Sequence, residues 1–156
     1  TLAVRLRQQA QTALLLAEWL QGRPEVERVM YPPLPSDPGH ELWLRDYAGA
    51  SALFSFTLHA VYSERVDRLV EGLSLFGLGA SWGGYESLLM PVDPHARPLP
   101  VGIPPNLRLV RVHAGLEDAR DLIADLEVGF ARLHARPDDA EHGVDGADAA
   151  KPALGA

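Results

Sequence analysis

"FGLGASWGGYES", residues 76–87, decides how the rest of this 156-residue chain is read. Gly79-Ala80-Ser81-Trp82-Gly83 matches the Gly-x-Ser-x-Gly nucleophile elbow of serine hydrolases. In that elbow a strand enters the turn, a helix leaves it, and backbone amides at the helix N-terminus build the oxyanion site. The exit does not fit here. After Gly83 come Gly84 and "YESLLM", then Pro91, which leaves no room for a helix of ordinary length. Asp118 and His134 follow in the chain order a triad needs, but both fall in one amphipathic helical stretch, where solvated charge is the simpler reading. Trp82 and Tyr85, large aromatics among Gly77, Gly79, Gly83 and Gly84, suit instead a backbone that comes close to something flat or charged.

Outward from this loop, helical and strand-like stretches alternate. Leu2, Leu6, Ala10, Ala13, Leu14, Ala17 and Leu20 recur at helical spacing over residues 2–21, and "GRPE" ends that helix. "VERVMYP" (26–32) reads as a short strand closed by the proline-rich "PPLPSDPGH", and "GHELWLRDY" as a turn or two of helix. "SALFSFTLH" (51–59) is a β-type run. "SERVDRLVEGL" (63–73) predicts a helix with Ser63 as N-cap and Val66, Leu69, Val70 and Leu73 on one face. "PVDPHARPLPVGIPP" is a long connection, and "NLRLVRVHA" (106–114) a strong strand. "GLEDARDLIADLEVGFARLHA" is a strong helix with Leu122, Ile123, Leu126, Phe130 and Leu133 inward and acids in its first turn, where the helix dipole favours them. From residue 136 the pattern stops: Asp138, Asp139, Glu141, Asp145 and Asp148 with almost no large apolar residue predict a disordered acidic tail over 136–156.

Composition narrows the functions. At 47% hydrophobic and 22% charged residues, with no apolar run of spanning length and no signal-peptide order at the start, the chain reads as a cytoplasmic globular domain rather than a membrane protein. A net charge of -7 and the lack of a basic stripe argue against nucleic acid as a partner. The absence of cysteine excludes disulfides and thiolate chemistry. The six histidines, His40, His59, His95, His113, His134 and His142, show no metal-ligand spacing, so no metal is expected. Lys151, in the acidic stretch, is the only lysine.

"LSLFGLGASWGGYESLLMP" together with "LRLVRVHAGLEDARDLIADLEVGFARL" resembles the C-terminal region of the pyridoxal-phosphate-dependent trans-sulfuration enzymes of cysteine and methionine metabolism. The resemblance runs over residues 1–135 and includes the "GASALFSFTL" strand; Trp82 and Tyr85 are most similar to the bacterial cystathionine β-lyase branch. It implies an α/β small domain, an antiparallel sheet with helices on one side, preceded by the long interdomain helix of a fold-type I enzyme. It also implies a homotetramer, and a cofactor held as a Schiff base by a lysine in a large domain. This chain carries no match to that lysine motif, so by the resemblance it is a C-terminal fragment with no catalytic residue of its own, inactive alone. The implied reaction is cleavage of cystathionine to homocysteine, pyruvate and ammonia. The alternatives are a γ-synthase or γ-lyase of the same family, or a non-catalytic α/β module that binds an amino acid. What precedes Thr1 discriminates between enzyme and module.

The resemblance places the substrate carboxylate on Arg111, with Ser81 contacting the same carboxylate and Trp82 shaping the pocket wall. Physical chemistry agrees with the first of these. Alternation puts Leu107, Leu109, Arg111 and His113 on one face of the strand and Arg108, Val110, Val112 and Ala114 on the other. An arginine among such neighbours is costly unless paired. No acid lies within the strand, and a carboxylate ligand matches the guanidinium fork. Arg108 reads as the partner of a surface ion pair, and His113 as a core histidine. Glu86 and Ser87 match the family motif and either serve the site or brace the loop.

Overall fold

Twenty residues, Leu2–Gln21, form helix α1, which ends at Gly22 just ahead of Pro24. The structure is a computed structural model that describes residues 1–92, 103–104 and 106–135; Lys151 and the predicted acidic tail lie outside the described residues. Strand β1 is Val26–Met30, and after it the short helix α2 covers His40–Asp46. Strand β2 (Leu53–Leu58) leads into two short helices, α3 (Ala60–Ser63) and α4 (Val66–Val70). Then come β3 (Gly77–Leu78), β4 (Leu88–Val92), β5 (Leu109–His113) and helix α5 (Ala119–His134).

The five strands make one sheet in the order β1-β2-β5-β4-β3. Every pair is antiparallel except β3 with β4, which is parallel, so the sheet is mixed rather than antiparallel throughout. The exception has a local cause: the loop 79–87 carries the chain back across so that β4 runs in the direction of β3. Pro91, expected to stop the segment, instead sits inside β4 opposite Val110. Beyond Leu89 no described strand pairs with the other side of β4, and a residue without an N–H is tolerated at such an edge.

The core lies on the helix side of the sheet. Phe54, Phe56, Val110, Val112 and Leu89 are buried there against Leu16, Leu20, Leu122, Leu126 and Phe130 of α1 and α5. Phe130 meets Phe56 at 6.2 Å and the edge of Trp19 at 5.7 Å between ring centroids. The buried stripe of α1 is Gln9, Thr12, Ala13, Leu16, Ala17 and Leu20. Leu2 and Leu6, expected on it, are exposed. Residues 63–73 form no single helix. Ser63 closes α3, and its hydroxyl bonds back to the Leu58 carbonyl at 3.2 Å instead of capping α4. The opposite face of the sheet is different: register aligns Met30, Ser55, Arg111 and Met90 in one row across four strands, all half-buried.

Candidate functional site

The glycine-rich loop crosses the end of that open face, and carboxylates from the last helix and the turn before it pin both its ends. At its start, Asp125 accepts the backbone N–H groups of Ser74, Leu75 and Phe76 at 2.8, 2.9 and 3.2 Å. At its end, Glu117 accepts the Ser87 N–H at 3.0 Å and the Ser87 hydroxyl at 2.7 Å. The Ser87 hydroxyl in turn accepts the Gly115 N–H at 2.8 Å, and the Leu116 N–H donates to the Tyr85 carbonyl at 2.8 Å. Gly115 has to be glycine, because a Cβ there would lie 2.4 Å from the Tyr85 carbonyl oxygen and 2.5 Å from Glu86. The two sequence motifs therefore meet backbone to backbone.

Arg111 is where they meet in side chains. Its Nη2 donates to the Ala80 carbonyl at 2.5 Å and, more weakly, to the Ser81 carbonyl at 3.4 Å. Its guanidinium carbon stands 5.4 Å from the Trp82 ring centroid, within cation–π range. Among the described residues no carboxylate forms an ion pair with it. The structure thus brings Arg111, Ser81 and Trp82 together. Ser81 and Trp82 are exposed, Trp82 at 61%. Of the two motif residues whose role sequence left open, Ser87 is fully buried and braces the loop, while Glu86 is exposed.

The hydrolase geometry is absent among the described residues. The chain leaves Gly83 toward β4 and forms no helix there. Asp118 and His134 sit at opposite ends of α5: Asp118 is the N-cap, accepting the Arg120 N–H at 2.8 Å, and His134 contacts Glu25 at 2.8 Å. Burial alone would raise the Glu25 carboxyl, but hydrogen bonds from His134 and Arg23 hold it below the usual value. Arg108 has no ion pair among the described residues. It lines a shallow cleft with Glu64 and Asp67, and its N–H donates to the Ser63 hydroxyl at 3.3 Å. No group of three metal-ligating side chains occurs among the described residues, and none of their helices is long and apolar enough to cross a membrane.

Four further residues contact this loop that sequence reasoning did not single out: Asp125, Glu117, Gln9 and Arg5. Gln9 Nε2 donates to the Gly84 carbonyl at 2.5 Å and Arg5 Nη2 to the Gly83 carbonyl at 3.4 Å, both from α1. His113, expected in the core, is buried with 2% exposure, and its Nε2 accepts the Gly83 N–H at 3.2 Å. Asp125 and Gln9 carried a signal, since each occupies a position on the buried stripe of its helix where an apolar residue is the rule.

Pyridoxal phosphate needs a primary amine for its covalent attachment, and the described residues include no lysine. They do not form that attachment site.

The family model for Cys/Met metabolism PLP-dependent enzymes matches residues 1–131. The cystathionine β-lyase MetC of Escherichia coli (strain K12) is 48% identical over 85% of this chain and 35% of its own length. The L-alanine/L-glutamate racemase of Wolbachia pipientis wMel is 40% identical over 85% of this chain and 34% of its own. The crystal structure of cystathionine γ-synthase from Xanthomonas oryzae pv. oryzae, in complex with cystathionine, superposes with a TM-score of 0.69. It is 34% identical, covering 84% of this chain and 35% of that one. The chain therefore spans about a third of the length of these relatives. With a family match over most of its length, an α/β domain in common with solved members, and both motifs joined at one site, the chain belongs to the pyridoxal-phosphate-dependent enzymes of cysteine and methionine metabolism.

Proposed function

We propose that this chain is the substrate-carboxylate domain of a pyridoxal-phosphate-dependent carbon–sulfur β-lyase that cleaves cystathionine to homocysteine, pyruvate and ammonia. Arg111 holds the α-carboxylate, Ser81 contacts it, and Trp82 forms the wall beside it. The observation that carries this reading is Arg111 itself. It is a half-buried guanidinium on the open face of the sheet, oriented by the Ala80 carbonyl and the Trp82 ring, with no carboxylate paired to it among the described residues. A planar fork held in this way is matched by a carboxylate. The relatives add a chemical argument: alanine, glutamate and cystathionine, the amino acids in their names, differ in side chain and share an α-carboxylate.

The chain's own work is binding and orientation. Holding the carboxylate, together with the substrate's attachment at its amino end, restricts which bond at Cα faces the reacting groups, and such positioning supplies much of an enzyme's advantage. A homotetramer in the full-length enzyme belongs to the same proposal. Support for burial against further polypeptide comes from exposed Leu2, Val4, Leu42, Leu44 and Tyr47, and from a cavity of about 610 Å³ between α2 and Tyr31.

Arg111→Ala in the full-length enzyme tests the reading. Stripping one partner from a desolvated charge pair costs about 2 to 5 kcal/mol. At about 1.4 kcal/mol per decade, kcat/KM is expected to fall about 30-fold to several thousand-fold with the cofactor still bound. Arg111→Lys is expected to recover little, because an ammonium cannot reproduce the fork. Retained kcat/KM, or release of the cofactor, overturns the assignment. A γ-synthase reading is favoured by the likeness to the Xanthomonas structure; release of pyruvate from cystathionine decides against it, and formation of cystathionine from a thiol and an activated homoserine decides for it.

A further inference from the structure

The turn at Gly83 and Gly84 is held almost without packing. Gly83 has φ +85°, open to glycine at no steric cost, and a Cβ on either glycine would meet nothing within 4 Å. What fixes the turn is polar. His113 on β5 takes the Gly83 N–H, while Arg5 and Gln9 on α1 donate to the Gly83 and Gly84 carbonyls. Gln9 and His113 are each only 2% exposed, so each polar group was buried at a cost that its hydrogen bond offsets. Trp82 directly precedes this turn and lies against the Arg111 guanidinium.

We propose that His113 and Gln9 are positioning residues for the carboxylate site: by fixing the Gly83–Gly84 turn from two elements, they aim the Trp82 indole at Arg111 and hold the guanidinium ready for its ligand. The inference rests on the reading of Arg111 as the carboxylate-binding residue. The tautomer is set by the geometry. Because Nε2 accepts a hydrogen bond, the neutral imidazole of His113 carries its proton on Nδ1, which is buried with no partner among the described residues. An imidazolium would have no lone pair for the Gly83 N–H.

Burial pushes His113 below its ordinary value. The Gly84 carbonyl and the Glu117 and Glu86 carboxylates act against that shift, and Arg111, on the same strand face, acts with it. For a base with a lowered folded value, the neutral form and its Gly83 contact are intact above about pH 6.5. The contact is lost as pH falls through the lower folded value, and with it the aim of Trp82.

The test uses the full-length holoenzyme, with propionate as a bare-carboxylate competitive inhibitor and cystathionine as substrate. His113→Leu and Gln9→Leu are each expected to weaken propionate about 10-fold at pH 7.5, the worth of one hydrogen bond near the upper end of its range. KM for cystathionine rises in step and kcat stays within about 2-fold, as for lost uniform binding. His113→Gln restores an acceptor, recovers most of the affinity, and removes that part of the parent's acid-side weakening that exceeds propionate's own protonation. In cofactor-free protein, iodide quenching of Trp82, obtained by difference from Trp82→Phe, rises in the two leucine variants and not in His113→Gln.

Propionate binding within about 2-fold of the parent in both leucine variants, at less than the cost of one ordinary hydrogen bond, overturns the proposal. So does an acid-side loss as large in His113→Gln as in the parent, since propionate's own protonation is common to both. Arg111→Ala separates the two levels: if propionate is indifferent to it, the carboxylate reading itself fails, and if propionate is lost there but not in the His113 and Gln9 variants, only the positioning role fails.

Discussion

The two faces of the sheet are built from the same strands and do opposite work. On the helix side, Phe54, Phe56, Val110, Val112 and Leu89 are nearly or wholly removed from solvent and pack into the apolar core with α1 and α5. One residue away along the same strands, Ser55, Arg111 and Met90 line up half-buried, and the loop that reaches Arg111 has its Gly83–Gly84 turn held by hydrogen bonds rather than by packing. Apolar burial holds the first face and directed hydrogen bonds shape the second, because burial of apolar area is non-directional whereas a hydrogen bond fixes an atom in one place. The difference can be broken experimentally, one face at a time.

The largest effect belongs to the helix face. Phe56 has no exposed surface and lies beside Phe130, so Phe56→Ala is expected to cost about 3 to 5 kcal/mol of unfolding free energy. Denaturant titration of this chain measures it. A cost below about 1 kcal/mol, less than the usual penalty for emptying a packed core position, would mean that this face is not the core.

How much was legible in the sequence divides along the same line. Apolar periodicity located α1, β2, β5 and α5 within a few residues, since packing against one face imposes the periods of 3.6 and 2. It missed β3 and β4: β3 has only two residues, both exposed, and Pro91 in β4 signals a stop unless the open edge beside it is known. Arg111, Ser81 and Trp82 were readable through the two motifs, and the structure brings them to one place. The residues that hold the loop were mostly not. Glu117 is an acid near a helix start, which on sequence grounds needs no more than the helix dipole to account for it. Asp125 and Gln9 were visible only as polar breaks in buried stripes, whose partners lie 49 to 75 residues away along the chain.

Asp125 gives the intermediate effect, because it joins the two faces: its carboxylate is buried among core residues of α5, yet all three of its acceptor bonds go to the start of the loop. Asp125→Asn keeps the volume and replaces one acceptor oxygen by an amide that must face N–H donors. The expected loss is about 1.5 to 3 kcal/mol, the range for hydrogen bonds to a charged group. Amide hydrogen exchange resolves where it falls. Protection is expected to drop at Ser74, Leu75 and Phe76 by more than at Val110 or Val112, and a uniform drop across the sheet would show that Asp125 acts on the core alone.

The smallest effect is the sharpest comparison, because it sets two arginines of one chain segment against each other. Arg108 and Arg111 are three residues apart and face opposite ways. Arg111 contacts the loop, whereas Arg108 lines a shallow cleft beside α3 and α4 with Glu64 and Asp67 and makes no ion pair among the described residues. Charges that share a solvent-open cleft without forming an ion pair are worth about 0 to 1 kcal/mol, so Arg108→Ala is expected to change kcat/KM of the full-length enzyme by less than about 5-fold. Salt is expected to weaken even that, since at 0.1 M ionic strength the screening length is about 10 Å. Arg111→Ala, by contrast, is expected to keep most of its loss at high salt, because the half-buried guanidinium of the proposed site would hold its carboxylate in direct contact, and partly buried pairs are screened less. Steady-state kinetics of the two alanine variants at low and high ionic strength decide the matter. Equal losses in both, or a loss at Arg111 that salt abolishes, would place the carboxylate somewhere other than the open face.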